Sequence, residues 1–97
     1  MRKLDEMIDQ LRQLQPALRR RYPIRQMGVF GSYVRGEQTE ESDLDVLVEM
    51  GDGIGLIEFV GLQQHLSDAL GVNVDLVMKD ALKPDLGRRI MSEVVML

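Results

Sequence analysis

The stretch "VFGSYVRGEQTEESDLDVLVE", Val29–Glu49, sets a Gly-Ser pair, an Arg-Gly pair and two aspartates between two apolar runs. The first run, Ile24 to Phe30, is short and carries valine and phenylalanine, which predicts a strand ending at Gly31. Ser32 then reads as a helix N-cap and Gly36 as a helix stop, leaving about one turn between them. "EQTEES" reads as a polar connection. Asp43 to Glu49, "DLDVLVE", is too short and too apolar for a surface helix and predicts a largely buried strand. Side chains alternate along a strand, so Asp43 and Asp45 fall on one side, a pleat apart.

The flanks complete an alternating pattern. Leu4, Met7, Ile8, Leu11, Leu14 and Leu18 follow helical spacing and predict an amphipathic helix over 3–20, which Pro23 terminates. After the glycines of "GDGIG", Leu56, Phe59, Val60, Leu66, Ala69 and Leu70 predict a second long helix, with Gly71 at its C-terminal end. Val72 to Met78, "VNVDLVM", predicts a third strand that puts Asp75 on the face of Asn73 and Val77. Pro84 suits the first turn of a last helix, whose apolar face is Leu86, Ile90, Met91, Val94 and Val95. The order helix, strand, short helix, strand, helix, strand, helix predicts an α/β (α+β) fold with a small central sheet. No repeat or linker divides the chain, so one domain spanning 1–97 is expected.

Composition narrows the function. The 97 residues are 44% hydrophobic and 29% charged, ordinary for a globular protein. With no cysteine, disulfides and thiolate metal sites are excluded, and any metal is expected to use oxygen ligands. The charged start "MRKLDEMIDQ" is no signal peptide, and no apolar run approaches a membrane span of about 20 residues, so a cytoplasmic location is expected. The net charge of −4 argues against direct nucleic-acid binding. Arg19, Arg20, Arg21 and Arg25, and again Lys79, Lys83, Arg88 and Arg89, read as solvated helix ends favoured by the helix dipole. The other reading is a face for phosphate or a partner.

Two carboxylates on one face of an apolar strand repel each other unless a cation neutralises them. Mg²⁺ suits them, because it takes one or two carboxylates and completes its shell with water and phosphate oxygens. Asp75, on a neighbouring strand, is the candidate third carboxylate, with Asp80 and Asp85 as later alternatives. A third carboxylate would complete a site for two metals about 3.5–4 Å apart. Gly31-Ser32 offers backbone N–H groups to phosphate oxygens. Arg35 either reaches the phosphates or braces the loop against an acidic neighbour. Other motifs fail. There is no Gly-Lys-Ser/Thr of a Walker loop, no dinucleotide glycine fingerprint, and "DLDVLVEMGDGIG" puts apolar residues where an EF-hand needs ligands. His65 lies off its helix's apolar stripe, and Ser32 has no histidine near it in sequence to activate it as a nucleophile.

Gly31-Ser32, Arg35-Gly36 and Ser42-Asp43-Leu44-Asp45 resemble the GSxxRG…SDxD signature of the DNA polymerase β-like nucleotidyltransferases. Within them the chain resembles the minimal nucleotidyltransferase (MNT) antitoxins of HEPN/MNT toxin–antitoxin pairs. The resemblance implies a mixed sheet flanked by helices, Mg²⁺ on Asp43, Asp45 and Asp75, and a triphosphate at Gly31-Ser32. The implied reaction moves AMP from ATP to a tyrosine hydroxyl of a HEPN ribonuclease toxin, silencing it. Larger members carry a further domain that grips the base and second substrate, and this chain has no counterpart to it. Neutralisation by docking alone is an alternative. Nucleotidyl transfer to a small molecule is disfavoured by the missing second domain.

Overall fold

The computed structural model describes residues 3–97. Helix α1 (Lys3–Arg21) leads to strand β1 (Ile24–Phe30), the single-turn helix α2 (Ser32–Arg35) and strand β2 (Leu44–Met50). Helix α3 (Leu56–Leu70), strand β3 (Val74–Met78), helix α4 (Pro84–Glu93) and the two-residue strand β4 (Val95–Met96) follow. The sheet order is β3-β2-β1-β4. β1 is antiparallel to both β2 and β4, whereas β2 and β3 run parallel across the α3 connection. This is the expected mixed sheet flanked by helices.

Alternation along the strands sorts the core into two faces. Leu44, Val46, Val48, Val74 and Leu76 pack with Met7, Leu11 and Leu18 of α1 and Leu62 and Leu66 of α3. Phe30 and Leu47 pack with Ile90 of α4, bordered by Val77, Leu82 and Val94. The α4 face is thinly covered, and it is the face to which Asp45 and Asp75 belong.

Several boundaries differ from the sequence reading. α1 ends at Arg21, one residue later than expected, and as expected runs through Pro16, which lies on its exposed side, where water can satisfy the carbonyl that loses its donor. β2 begins at Leu44, leaving Asp43 just outside the strand, and β3 begins at Val74 rather than Val72. On α3 the buried stripe is Leu62, Leu66 and Leu70, with Phe59 half-buried. The expected core residues Leu56 and Val60 are 77% and 51% exposed, and Ala69 is exposed too. Apolar positions crowd all round the first turns of this helix, so periodicity alone could not choose the inward side. Val94 and Val95 do not continue α4. Val95 pairs with Val29 and Met96 with Gly28, because the β-branched Val95 fits an open sheet edge better than a further helical turn.

Candidate active site

The turn after β1 is shaped by backbone geometry. Gly31 sits at φ 83°, ψ −154°, a region essentially confined to glycine. A Cβ there would lie 2.0 Å from Asp45 Oδ2, so the aspartate fills the space a side chain would need. Gly31, rather than Ser32, is the N-cap residue of α2, and no side chain caps that helix. The expectation for Ser32 is corrected accordingly: it is the first helical residue. Gly36 closes the turn in the left-handed conformation, as expected, with φ 73°.

The "EQTEES" connection does more than link two strands. Thr39 N–H donates to Ser42 Oγ at 2.8 Å and Ser42 N–H to the Thr39 carbonyl at 3.1 Å. Leu44 N–H then donates to the Asn73 carbonyl at 2.8 Å, opening the β2–β3 side of the sheet. Asp43 is held between these two anchors.

Parallel register sets Asp45 directly beside Asp75, and antiparallel register sets it beside Phe30. Strand register therefore puts Asp75 next to Asp45, whereas Asp80 falls in the following 3₁₀ turn and Asp85 at the start of α4. Asp45 is half-buried, and its pKa is raised, first by burial and then by the charges of Asp75 and Asp43. Glu93 adds to the rise and Arg35 opposes it. Two neighbouring aspartates thus bear on Asp45, the circumstance in which a cation is favoured.

Gly31, Arg35, Asp45 and Asp75 line one cleft of 590 Å³ between the sheet and α4. Phe30, Val77, Leu82, Leu86 and Ile90 give it an apolar wall, and Arg89 and Glu93 add charge. Asp43 lines the adjoining depression instead, with Gln63, Ser67, Asn73 and Asp75. Ser32 neighbours the cleft in sequence without lining it. Among the described residues no three carboxylates or imidazoles converge into a ready-made metal cage. The donors present are carboxylate oxygens in a half-open cleft, a set that suits a hard cation sharing its shell with phosphate oxygens.

Arg35 turns out to be a brace. Its Nε donates to Glu37 Oε2 and one terminal nitrogen donates to both oxygens of Glu93, each at 3.1 Å. These partners raise its pKa, the Glu37 hydrogen bond most. Glu93 Oε1 also accepts the Gly31 N–H at 3.1 Å. The sequence reading missed Glu93. Its only local signal is a carboxylate in the last turn of a helix, where the dipole disfavours it.

The basic clusters divide. Arg19 donates to the Ile24 and Arg25 carbonyls, Lys79 pairs with Glu49 and Arg88 with Asp85, all structural roles. Arg89 instead faces the cleft. His65 is half-buried in a separate shallow depression with Arg21, Tyr22 and Asp68.

A glycine turn and adjacent carboxylates on paired strands thus meet at one open cleft. The chain belongs to the nucleotidyltransferase domain family, whose model matches residues 11–97. It is 47% identical over 78 residues to the protein adenylyltransferase MntA of Thermococcus cleftensis, covering 80% of this chain and 79% of that protein. A solved structure described as a minimal nucleotidyltransferase superposes with a TM-score of 0.81 at 36% identity, covering 95% of this chain and 94% of that one. A toxin–antitoxin structure with AMP-PNP gives a TM-score of 0.70 at 28% identity, covering 97% of this chain and 71% of that one.

Proposed function

We propose that the chain is an Mg²⁺-dependent protein adenylyltransferase that moves AMP from ATP to a tyrosine hydroxyl of a HEPN-type toxin and thereby acts as its antitoxin. The observation that carries this is the pairing of Asp45 with Asp75 beside the Gly31 turn in one cleft. The adenylyltransferase name of the Thermococcus relative and the nucleotide analogue in the toxin–antitoxin structure support the choice of ATP and of a protein acceptor.

In this reading Asp43, Asp45 and Asp75 would hold Mg²⁺, which would supply charge neutralisation for the triphosphate and for the leaving pyrophosphate. Gly31 lets the phosphates approach the backbone, Ser32 supplies a hydroxyl donor, and Arg35 keeps the turn in shape. The acceptor oxygen bonds to the α-phosphorus as the bond to the bridging oxygen breaks. Asp75, exposed beside Asp45, takes the hydroxyl proton. Pyrophosphate and an AMP-modified partner are the products.

Incubation with ATP, Mg²⁺ and the HEPN-type protein encoded beside this chain is expected to add an AMP-sized mass to a tyrosine of that protein, read by tandem mass spectrometry. An unmodified partner, with ATP bound by this chain, overturns the reading. Asp43→Asn or Asp45→Asn is expected to lower the transfer rate by at least about a hundredfold, from the loss of charge stabilisation.

One observation favours neutralisation by docking alone. Leu56, Ile57 and Val60 present an apolar surface on the first turns of α3, 77%, 85% and 51% exposed. Under that reading, the Asp43/Asp45 double variant still protects cells from the toxin.

A further inference from the structure

Glu93 is 62 residues from Gly31 in sequence, and its carboxylate accepts that residue's N–H at 3.1 Å. The same carboxylate receives Arg35 through both oxygens. A carboxylate in the last turn of α4 opposes the helix dipole and gains nothing from its own helix. Its stabilisation comes from these partners across the cleft, so it marks a tertiary role. The element carrying it is fixed on both sides. Ile90 packs against Phe30 and Leu47 before it, and after it Val94 borders the same cluster and Val95 pairs with Val29.

Gly31 takes a positive-φ conformation open to glycine, and two carboxylates confine it there. Asp45 does so from one side, by filling the space beside the Gly31 α-carbon. Glu93 does so from the other, by fixing the plane of the Phe30–Gly31 peptide.

We propose that Glu93 is a positioning residue for nucleotide transfer: its carboxylate holds the Gly31 N–H and the Arg35 guanidinium together, so that the turn is set for a triphosphate before one arrives. This rests on the nucleotidyl-transfer reading. It makes Arg35 act through Glu93 and the turn rather than as a direct phosphate ligand. It also makes the α4–β4 segment a working part of the site.

The test uses the full chain, AMP-PNP with Mg²⁺ as the probe, and titration calorimetry beside a thermal melt and the Gly31 amide resonance. Glu93→Ala is expected to weaken AMP-PNP binding roughly tenfold or more, the scale of a lost charged hydrogen-bond partner, and to shift the Gly31 amide. Glu93→Gln keeps an oxygen able to accept the Gly31 N–H and is expected to retain much of the affinity. The charge swap Arg35→Glu with Glu93→Arg restores an ion pair without an acceptor at position 93, and is expected to melt like the wild type while binding as poorly as Glu93→Ala. Wild-type affinity in Glu93→Ala or in the swap overturns the proposal, as does equal loss in Glu93→Ala and Glu93→Gln. Should Glu93→Ala not fold, the comparison of Glu93→Gln with the swap decides. A wild-type chain that fails to bind AMP-PNP defeats the nucleotide reading itself, an outcome distinct from wild-type binding with unchanged variants.

Discussion

Asp45 is costly to ionise without a cation, because it is half-buried between Asp75 and Asp43, with Glu93 adding negative charge. Its folded pKa is raised above the ordinary carboxylate value of about 3.9. The native state therefore binds this proton more tightly than the unfolded chain does. Stability from this group is present below the unfolded value and is lost as pH rises through the folded one. At neutral pH, Asp45→Asn is expected to raise the metal-free melting temperature by a few degrees, with the gain vanishing near pH 4. Calorimetric melts across that range check it, and a lower melting temperature for the variant at neutral pH would contradict the electrostatic account. The residue types at this site were legible from "GS", "RG" and "SDLD". Glu93 was not, because no sequence spacing connects a helix end to a turn 62 residues earlier.

At the scale of elements, the order read from the sequence matches the structure up to α4. The last segment departs because β4 exists only where an open edge of β1 receives it. Gly28 makes that docking possible. A Cβ at Gly28 would lie 2.7 Å from Val94 Cγ2, 2.9 Å from Met96 Sδ and 3.1 Å from the Val95 carbonyl oxygen. Gly28→Ala is expected to displace β4 and destabilise the protein by about 1–3 kcal/mol, the usual cost of overpacking. Urea titration measures this, and hydrogen exchange is expected to show lost protection at Leu97, whose N–H donates to the Met27 carbonyl at 3.0 Å. A neutral substitution would mean that β4 is only loosely held. On α3 the helix itself was legible and its inward side was not, since Leu56, Ile57, Val60 and Leu62 place apolar residues around the whole circumference.

The whole molecule is a sheet backed firmly by α1 and α3 and covered thinly by α4, which leaves the carboxylate face open as a cleft. A chain of this length buries only about 60–65% of its unfolded surface, so its intrinsic stability is modest. Ligand binding should then register strongly in a melt. Saturating ATP with Mg²⁺, at about 100 times the dissociation constant, is expected to add about 2.7 kcal/mol of stability. For a domain of this size that corresponds to a rise of roughly 10–20 °C. Scanning calorimetry with ATP alone, Mg²⁺ alone and both together checks it, and only the combination is expected to give the full rise. An unchanged melt with both present would count against a nucleotide site in this cleft.

The sequence by itself determined the element order up to α4, the glycine turn and the acids that line the cleft, because strand alternation, turn residues and paired acids are local signals. Only the tertiary structure decided which carboxylates are neighbours, since the parallel pairing of β2 and β3 sets Asp45 beside Asp75. It also gave Arg35 its acidic partners, Glu37 and Glu93, and made an edge strand of Val95–Met96. The physical reason is common to all of these. Register, packing and edge pairing join residues far apart in the chain, and their energies depend on surfaces that exist only once the sheet has formed.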